Sequence, residues 1–76
     1  MDSDAAPRFT IREDEVLQLL AKGMSSREIA AQLGIAAATV RYHSRRIFIK
    51  LHARNPTEAV IRAMAMGLLR RDSADE

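Results

Sequence analysis

The sequence predicts an all-α fold of four helices in one small domain. The chain has 76 residues, too few for more than one domain, and its 47% apolar content is dominated by helix-forming residue types. Its three glycines and two prolines stand close to helix-capping residues. They therefore divide the chain into four segments, each with helical periodicity.

The first helix is expected over about residues 11–22. Thr10 and Glu13 have the spacing of a capping box, in which the hydroxyl accepts from a first-turn amide and the carboxylate accepts from the N-cap amide. Phe9 stands where a hydrophobic staple would, and Gly23 permits the left-handed conformation that ends many helices.

The second helix is expected over about residues 26–33, where Ser25 and Glu28 repeat the capping spacing and Gly34 ends the segment. Ile35 can fill the angle before the next helix begins. The pattern is therefore helix, tight turn, helix. A turn of three or four residues makes the following helix cross steeply and present its outer face.

The third helix is expected over about residues 37–52, with one apolar and one basic face. At about 100° per residue, the inward face collects five residues: Val40, Ser44, Ile47, Phe48 and Leu51. The outward face has Ala38, Arg41, Tyr42 and Arg45 near its middle and Thr39, His43, Arg46 and Lys50 on one flank.

The fourth helix is expected over about residues 56–66. Asn55 is a good N-cap, Pro56 suits the first helical position, and Glu58 places an acid in the first turn. Gly67 follows the last turn. This helix has two apolar arcs, the first being Ala59, Val60, Ala63, Met66 and Gly67 and the second Ile61, Met64, Ala65 and Leu68.

Two apolar arcs on one helix indicate two neighbours, because a single core cannot cover both. We expect the second arc (Ile61, Met64, Ala65, Leu68) to form a homodimer interface. The alternative is that it meets only the N-terminal segment or crystal contacts. A second subunit would also enlarge the thin core of so small a domain.

The domain is expected to span residues 9–69, between a flexible segment at 1–8 and a loose, charged tail at 70–76. All twelve basic residues but only five of the ten acidic ones lie between Ala5 and Arg71. No acid occurs from Ile29 to Thr57, where five basic residues fall: Arg41, Arg45, Arg46, Lys50 and Arg54. Such a concentration of positive charge favours binding to a polyanion.

The outward face of the third helix suits double-stranded DNA. A helix about 10–12 Å wide fits the major groove, where arginine can donate to two acceptors on guanine. We therefore expect Arg41, Tyr42 and Arg45 to read bases. The flank residues, Thr39, His43, Arg46 and Lys50, suit phosphate oxygens of the DNA backbone. A basic face is often only a solvated face, but solvated helices usually mix charges of both signs.

Composition excludes other classes of protein. The chain has no cysteine, and two histidines are too few for a metal site, so we expect no disulfide, metal or other cofactor. No catalytic grouping or glycine-rich phosphate loop recurs at a useful spacing, so we expect no enzyme. No apolar run approaches the roughly 18 residues of a membrane span and the N-terminus is acidic, so we expect a cytoplasmic protein without membrane contact.

The order of residues from about 9 to 68 resembles the LuxR-type, or GerE-like, helix-turn-helix domain of bacterial transcription regulators. The first half of the resemblance is carried by Phe9, Thr10, Arg12, Glu13, Glu15, Val16, Leu17, Leu20, Gly23, Ser25, Glu28, Ile29, Ala30, Leu33 and Ile35. The second half is carried by Thr39, Val40, His43, Ile47, Lys50, Leu51, Arg54, Thr57, Glu58, Ala59, Val60, Ala63, Gly67 and Leu68.

This resemblance implies four helices, a third helix in the major groove, and dimers with the fourth helix near the two-fold axis. The family's base-reading positions fall on Arg41, Tyr42 and Arg45, and its backbone positions on Thr39, His43 and Lys50. The chain departs from the family at Ala36–Ala38, where polar residues are usual, and the loss of an N-cap there costs about 1 kcal/mol. Ile49 also replaces a usually polar residue.

We therefore expect a sequence-specific DNA-binding domain of a bacterial transcription regulator, either free-standing or the output end of a longer chain. RNA polymerase is a further candidate partner. The alternative function is a protein-interaction module or anti-regulator of the same fold that acts by heterodimerisation. An anti-regulator would not need an acid-free groove face, which favours the DNA-binding function. The promoter-reading region of sigma factors has a similar fold, but no other sigma region is present.

Overall fold

The computed structural model describes residues 7–70, which form four helices in chain order. These are α1 (Ile11–Ala21), α2 (Ser26–Leu33), α3 (Ala37–Leu51) and α4 (Pro56–Ala65). Helices α1 and α3 each pack against the other three helices, and α3 makes the more extensive contacts. The all-α prediction is confirmed, and each predicted helix end lies within one residue of the observed end.

Local capping explains where α1 and α2 begin. The Thr10 hydroxyl accepts a 3.0 Å hydrogen bond from the Glu13 amide, and Glu13 Oε1 accepts one of 3.0 Å from the Thr10 amide. Ser25 and Glu28 form the same reciprocal pair, at 3.1 and 2.8 Å. Both capping boxes predicted from the spacing are therefore present.

The turn between α2 and α3 depends on a left-handed residue. Gly34 has φ 71°, and its amide and that of Ile35 both donate to the carbonyl of Ala30, at 2.8 and 3.1 Å. Glycine adopts this conformation without a Cβ penalty. The turn between α2 and α3 therefore takes three residues, and α3 begins at Ala37. The N-cap residue of α3 is Ala36, whose side chain offers no hydrogen-bond acceptor.

Helix α3 ends at an unusual residue. His52 has φ 56° and ψ 39°, and it is the one non-glycine with a positive φ between residues 7 and 70. The Ala53 amide donates to the Phe48 carbonyl at 2.8 Å across this turn. The prediction that α3 would include residue 52 is wrong by this one residue, because the left-handed turn ends the helix at Leu51.

The segment from α3 to α4 is held by side chains of the next helix. Asn55 Oδ1 accepts from the Glu58 amide at 2.8 Å, and Glu58 Oε1 accepts from the Arg54 amide at 2.7 Å. Pro56 is the first residue of α4. These contacts set the direction in which α4 leaves α3.

The core lies where the apolar faces of all four helices meet. Its ten buried apolar residues come from every helix: Val16, Leu17, Leu19, Ile29, Ala30, Val40, Ile47, Leu51, Ala59 and Ala63. On the predicted inward face of α3, Val40, Ser44, Ile47 and Leu51 are buried, whereas Phe48 is only half-buried against the core. The fourth helix contributes mainly alanines, which lets α4 approach α3 closely.

The residues after α4 pack back onto α1. The Gln18 amide group donates to the Leu68 carbonyl at 3.0 Å, and the Arg70 amide donates to Gln18 Oε1 at 3.0 Å. Arg70 also pairs with Asp14 at 2.8 Å. Arg70, the first residue of the predicted charged tail, is thus bonded to α1, whereas residues 1–6 and 71–76 of the two predicted terminal segments lie outside the described range.

Candidate nucleic-acid interface

The exposed face of α3 carries the three predicted base-reading residues. Arg41, Tyr42 and Arg45 are exposed, while Val40, Ser44 and Ile47, which alternate with them along the helix, are buried. Neither Arg41 nor Arg45 forms an ion pair with any carboxylate within residues 7–70. No described residue therefore neutralises either guanidinium group.

Tyr42 projects from this face beside His43. Its side chain is 56% exposed, and its ring meets the His43 ring edge to face, with centroids 5.5 Å apart and planes at 66°. Such a contact orients both rings. His43 itself is half-buried, and its Nδ1 has no hydrogen-bond partner in the described part of the chain.

Thr39 occupies the first turn of α3, at the end that Ala36 leaves uncapped. Its side chain is exposed, and its amide donates to the Ala36 carbonyl at 3.0 Å. Thr39 therefore lies on the flank of the exposed face, as the helical periodicity predicts. No capping side chain accepts a hydrogen bond from the backbone amides of this first turn.

Arg46 and Lys50 occupy the same flank, but both are bound to a carboxylate of α1. Glu13 Oε2 accepts from Arg46 Nε at 3.2 Å, and Glu13 Oε1 accepts from Lys50 Nζ at 2.6 Å. The Glu13 side chain is only 2% exposed, compared with 49% for Arg46 and 25% for Lys50. No acid occurs in the sequence from residue 29 to 57, but the fold places the carboxylate of Glu13 beside this flank. The flank is therefore not free of acids in the folded domain.

Sequence reasoning assigned Glu13 to the capping box alone. Its spacing also indicates that Glu13 is buried. Glu13 precedes Val16 and Leu17 by three and four residues and so lies on the buried stripe of α1. A carboxylate on a buried stripe requires a cation as partner. The position of Glu13 therefore predicts an ion pair with another element, although the sequence does not say with which one.

The ion pairs keep Glu13 ionised. Burial by itself raises the pKa of Glu13, but the hydrogen bonds from Lys50 and the Thr10 amide, the charge of Lys50 and the hydrogen bond from Arg46 outweigh it. The pKa of Glu13 therefore lies below its usual 4.5. At neutral pH the group formed by Glu13, Arg46 and Lys50 has a net charge of about +1.

Lys50 also holds the residues before α1. Its ammonium donates to the Arg8 carbonyl at 2.9 Å and lies 5.6 Å from the centroid of the Phe9 ring. The second distance is within the range of a cation–π contact. Phe9 therefore contacts α3 through Lys50, in addition to its packing against the core.

The second candidate surface is the outer face of α4. Ile61 and Met64 are 59% and 63% exposed, and Ala65 is also exposed. Met64 borders an open groove of about 720 Å³ whose other apolar lining includes Leu19, Leu33 and Leu69. Exposed apolar side chains grouped on one helix face are typical of a protein interface.

Leu68, predicted as part of this interface, lies elsewhere. It is half-buried and packs against the core of its own chain, because its amide donates to the Ala63 carbonyl at 2.9 Å and the turn at Gly67 redirects the chain. Met66, assigned to the inward arc, is instead 47% exposed. Leu68 departs from helical periodicity because α4 ends at Ala65 and the chain turns at Gly67, which has φ 72°. Met66 is the C-cap of α4 and lies beyond its last buried residue, Ala63.

The described residues show neither a metal centre nor a membrane span. Between residues 7 and 70, no three histidine or acidic side chains cluster closely enough to hold a metal ion. In the same range, no helix has the length and apolar character needed to cross a bilayer.

Residues 7–63 match the family described as bacterial regulatory proteins of the luxR family. The chain belongs to this family. The matched range includes α1, α2, α3 and most of α4, and with them every residue of the basic face. The predicted resemblance is thereby confirmed.

Similar proteins of this family are bacterial regulators. The transcriptional regulatory protein DesR of Bacillus subtilis is 43% identical over 65 residues, which cover 86% of this chain and 32% of DesR. The transcriptional activator protein SolR of Ralstonia nicotianae is 36% identical over 66 residues, covering 87% of this chain and 28% of SolR. The chain thus spans about a third of the length of these relatives.

Solved structures share the fold. The transcription factor GerE matches with a TM-score of 0.76 and 34% identity, and the match covers 84% of this chain and 96% of GerE. A VqmA dimer from Vibrio cholerae, determined in the absence of its target DNA, matches with a TM-score of 0.81 and 29% identity over 90% of this chain and 30% of that one. The family is one of DNA-binding transcription regulators rather than of enzymes, which confirms the predicted class of function.

Proposed function

We propose that this domain binds double-stranded DNA sequence-specifically, with α3 in the major groove, as part of a bacterial transcription regulator. The observation that carries the proposal is a pair of exposed arginines, Arg41 and Arg45, which form no ion pair within residues 7–70. They lie on the outer face of a helix whose inner face is packed in the core. They are four residues apart and so lie on one side of the helix. Membership of the luxR family supports the same function.

Arg41 and Arg45 would read bases, together with Tyr42 between them. Each guanidinium can donate to both major-groove acceptors of a guanine. Tyr42, which is oriented by its contact with His43, adds a phenolic hydroxyl and an apolar ring that can meet a thymine methyl.

Thr39, His43, Arg46 and Lys50 would contact the DNA backbone from the flank. Their hydroxyl, imidazole, guanidinium and ammonium groups are suited to phosphate oxygens. Such contacts set the register of the helix on the duplex and provide affinity that depends on salt but not on sequence.

We further propose that two copies of the domain pair through α4. The exposed Ile61, Met64 and Ala65 support this, because an apolar surface of this kind gains free energy when a second copy covers it. Two copies related by a two-fold axis would read an inverted repeat, with half-sites about one helical turn apart or a multiple of it. A cytoplasmic location follows from the proposed role, and RNA polymerase is a candidate partner if the regulator is an activator.

The direct test is selection of bound duplexes from a random pool. Enrichment of one inverted repeat is expected. On that duplex, Arg41→Ala or Arg45→Ala should cost about 1–3 kcal/mol and relax preference at one base pair. Arg62→Ala, which removes an arginine from α4, is the matched control. No enriched sequence, or equal losses on selected and random duplexes, would contradict base reading.

The backbone contacts are tested through salt dependence. Lys50→Gln should weaken binding to selected and random duplexes alike and lower the slope of log K against log salt by about one unit. Glutamine is used because it keeps a donor for the buried Glu13 carboxylate. A loss confined to the selected duplex would mean that Lys50 reads sequence.

The dimer is tested by placing charges on α4. Ile61→Asp and Met64→Asp should abolish self-association in sedimentation and cooperative binding to the two half-sites. Ile11→Asp is the control, since Ile11 is 82% exposed but lies at the start of α1. Unchanged association in both α4 variants would contradict the interface and show that the copies pair through another surface.

A further inference from the structure

We propose that Glu13 is a positioning residue that orients Arg46 and Lys50 for the DNA backbone. The inference rests on the proposed function and adds a residue of α1 to it. Glu13 contacts both cations of the α3 flank from a buried position, and the two cations are four residues apart on α3.

Both oxygens of the Glu13 carboxylate are engaged. Oε2 holds Arg46 at 3.2 Å, whereas Oε1 holds Lys50 at 2.6 Å and also accepts from the Thr10 amide at 3.0 Å. The capping box ties this side chain to the start of α1. The orientation of the Arg46 and Lys50 side chains is therefore fixed by α1 as well as by α3, the helix that carries them.

Each cation has donors that its contacts with the described residues do not use. The Lys50 ammonium has three donors, and Glu13 and the Arg8 carbonyl use two within the described residues. The Arg46 guanidinium has five, of which Nε alone meets Glu13. One donor of Lys50 and four of Arg46 therefore remain for phosphate oxygens.

The carboxylate reduces the positive charge of this surface. A surface that bound DNA by charge alone would be stronger without Glu13, because removal of a carboxylate beside a polyanion increases attraction. A surface that depends on orientation would be weaker without it, because Arg46 and Lys50 would spread over many rotamers. The two explanations thus predict opposite signs for the same substitution.

The test compares Glu13→Gln with Glu15→Gln. Both remove one carboxylate from α1, but Glu15 pairs with Arg12 of its own helix and is 42% exposed. Glutamine at position 13 can still complete the capping box. Binding is measured on the duplex recovered by selection and on a random duplex, over a range of salt concentrations.

Glu13→Gln should bind the selected duplex about tenfold more weakly than either the wild type or Glu15→Gln, which is the loss expected for one charge-assisted contact. Its salt slope should fall by up to about two units, one for each cation released. Equal or tighter binding by Glu13→Gln than by Glu15→Gln would overturn the positioning role.

Two further variants separate positioning from folding. Glu13→Asp keeps the charge but shortens the side chain by one methylene, so it should lose affinity and salt slope as Glu13→Gln does; wild-type values would overturn the proposal. Thr10→Ala removes the hydroxyl half of the capping box and leaves the carboxylate, so it should lower Tm without lowering the salt slope. If Thr10→Ala lowered both in proportion, the role of Glu13 would be structural only.

The same experiment distinguishes the two proposals. If the wild type enriches no duplex, the proposed function fails and the positioning role fails with it. If the wild type enriches a duplex that Glu13→Gln, Glu13→Asp and Glu15→Gln all bind equally, the proposed function stands and the positioning role alone is overturned.

Discussion

Replacing His52 with glycine should stabilise the domain. His52 ends α3 with φ 56° and ψ 39°, a left-handed conformation in which the Cβ of an L-residue crowds the following carbonyl. Its side chain is exposed and makes no hydrogen bond with another residue in the range 7–70. The substitution therefore removes backbone strain at residue 52 without removing a hydrogen bond to another described residue.

The size of the effect follows from two opposing terms. Left-handed geometry costs a non-glycine residue about 1–2 kcal/mol. Glycine makes the unfolded chain more flexible, which costs the folded state about 0.4–1 kcal/mol. The net gain in the free energy of unfolding lies between about 0 and 1.6 kcal/mol. The mid-range value, about 0.8 kcal/mol, should raise Tm by roughly 3–6 °C for a domain of this size.

Urea and thermal unfolding followed by circular dichroism would measure this gain. Gly34→Ala is the matched control of opposite sign, because Gly34 has φ 71° and an added Cβ would meet no atom within 4 Å. Only the backbone term changes there, so stability should fall by about 1 kcal/mol. If His52→Gly lowered stability while Gly34→Ala behaved as expected, the reasoning from backbone strain would be refuted for His52.

Three more predictions concern capping, charge and packing. Ala36→Ser should add about 1 kcal/mol to the free energy of unfolding, because it supplies the missing N-cap acceptor of α3. Since the pKa of Glu13 is depressed on folding, its ionisation stabilises the fold above the usual pKa of 4.5, and this contribution is lost as pH falls below 4.5 through the lower folded value. Leu17→Ala should cost about 2–5 kcal/mol, because Leu17 is fully buried at the centre of a thin core.

Each of these has a measurement that would contradict it. Ala36→Ser is compared with Ala38→Ser, an exposed position inside α3 where no gain is expected. For Glu13, unfolding curves between pH 7 and pH 3 should show a shallower loss in Glu13→Gln than in the wild type, and parallel curves would rule out the contribution. For Leu17, a loss no larger than that of an exposed alanine substitution such as Ile11→Ala would show that the core is loosely packed.

Helix ends could be predicted from the sequence because their causes are local. Thr10 with Glu13, and Ser25 with Glu28, satisfy backbone amides three residues away, so their spacing alone reports the interaction. Burial on α3 was predictable for the same reason, since helical periodicity assigns each side chain to a face. Periodicity failed at Leu68 because α4 ends at Ala65, before that residue.

The contacts of Glu13 could not be predicted in the same way. Glu13 is separated from Arg46 by 33 residues and from Lys50 by 37. Counting the charges in one segment of the sequence therefore does not detect these ion pairs. The same holds for Gln18 with Leu68 and for Asp14 with Arg70, which lie 50 and 56 residues apart. These pairs determine which charges remain available to a ligand.

The amino-acid sequence by itself determined the four helices, their faces, the buried stripe and the family, because each depends on interactions within a few residues or on the order of residue types. Only the tertiary structure decided that, among residues 7–70, Arg41 and Arg45 have no carboxylate partner while Arg46 and Lys50 are held by one. The reason is that electrostatic pairing depends on distance in space, which the packing of α1 against α3 sets.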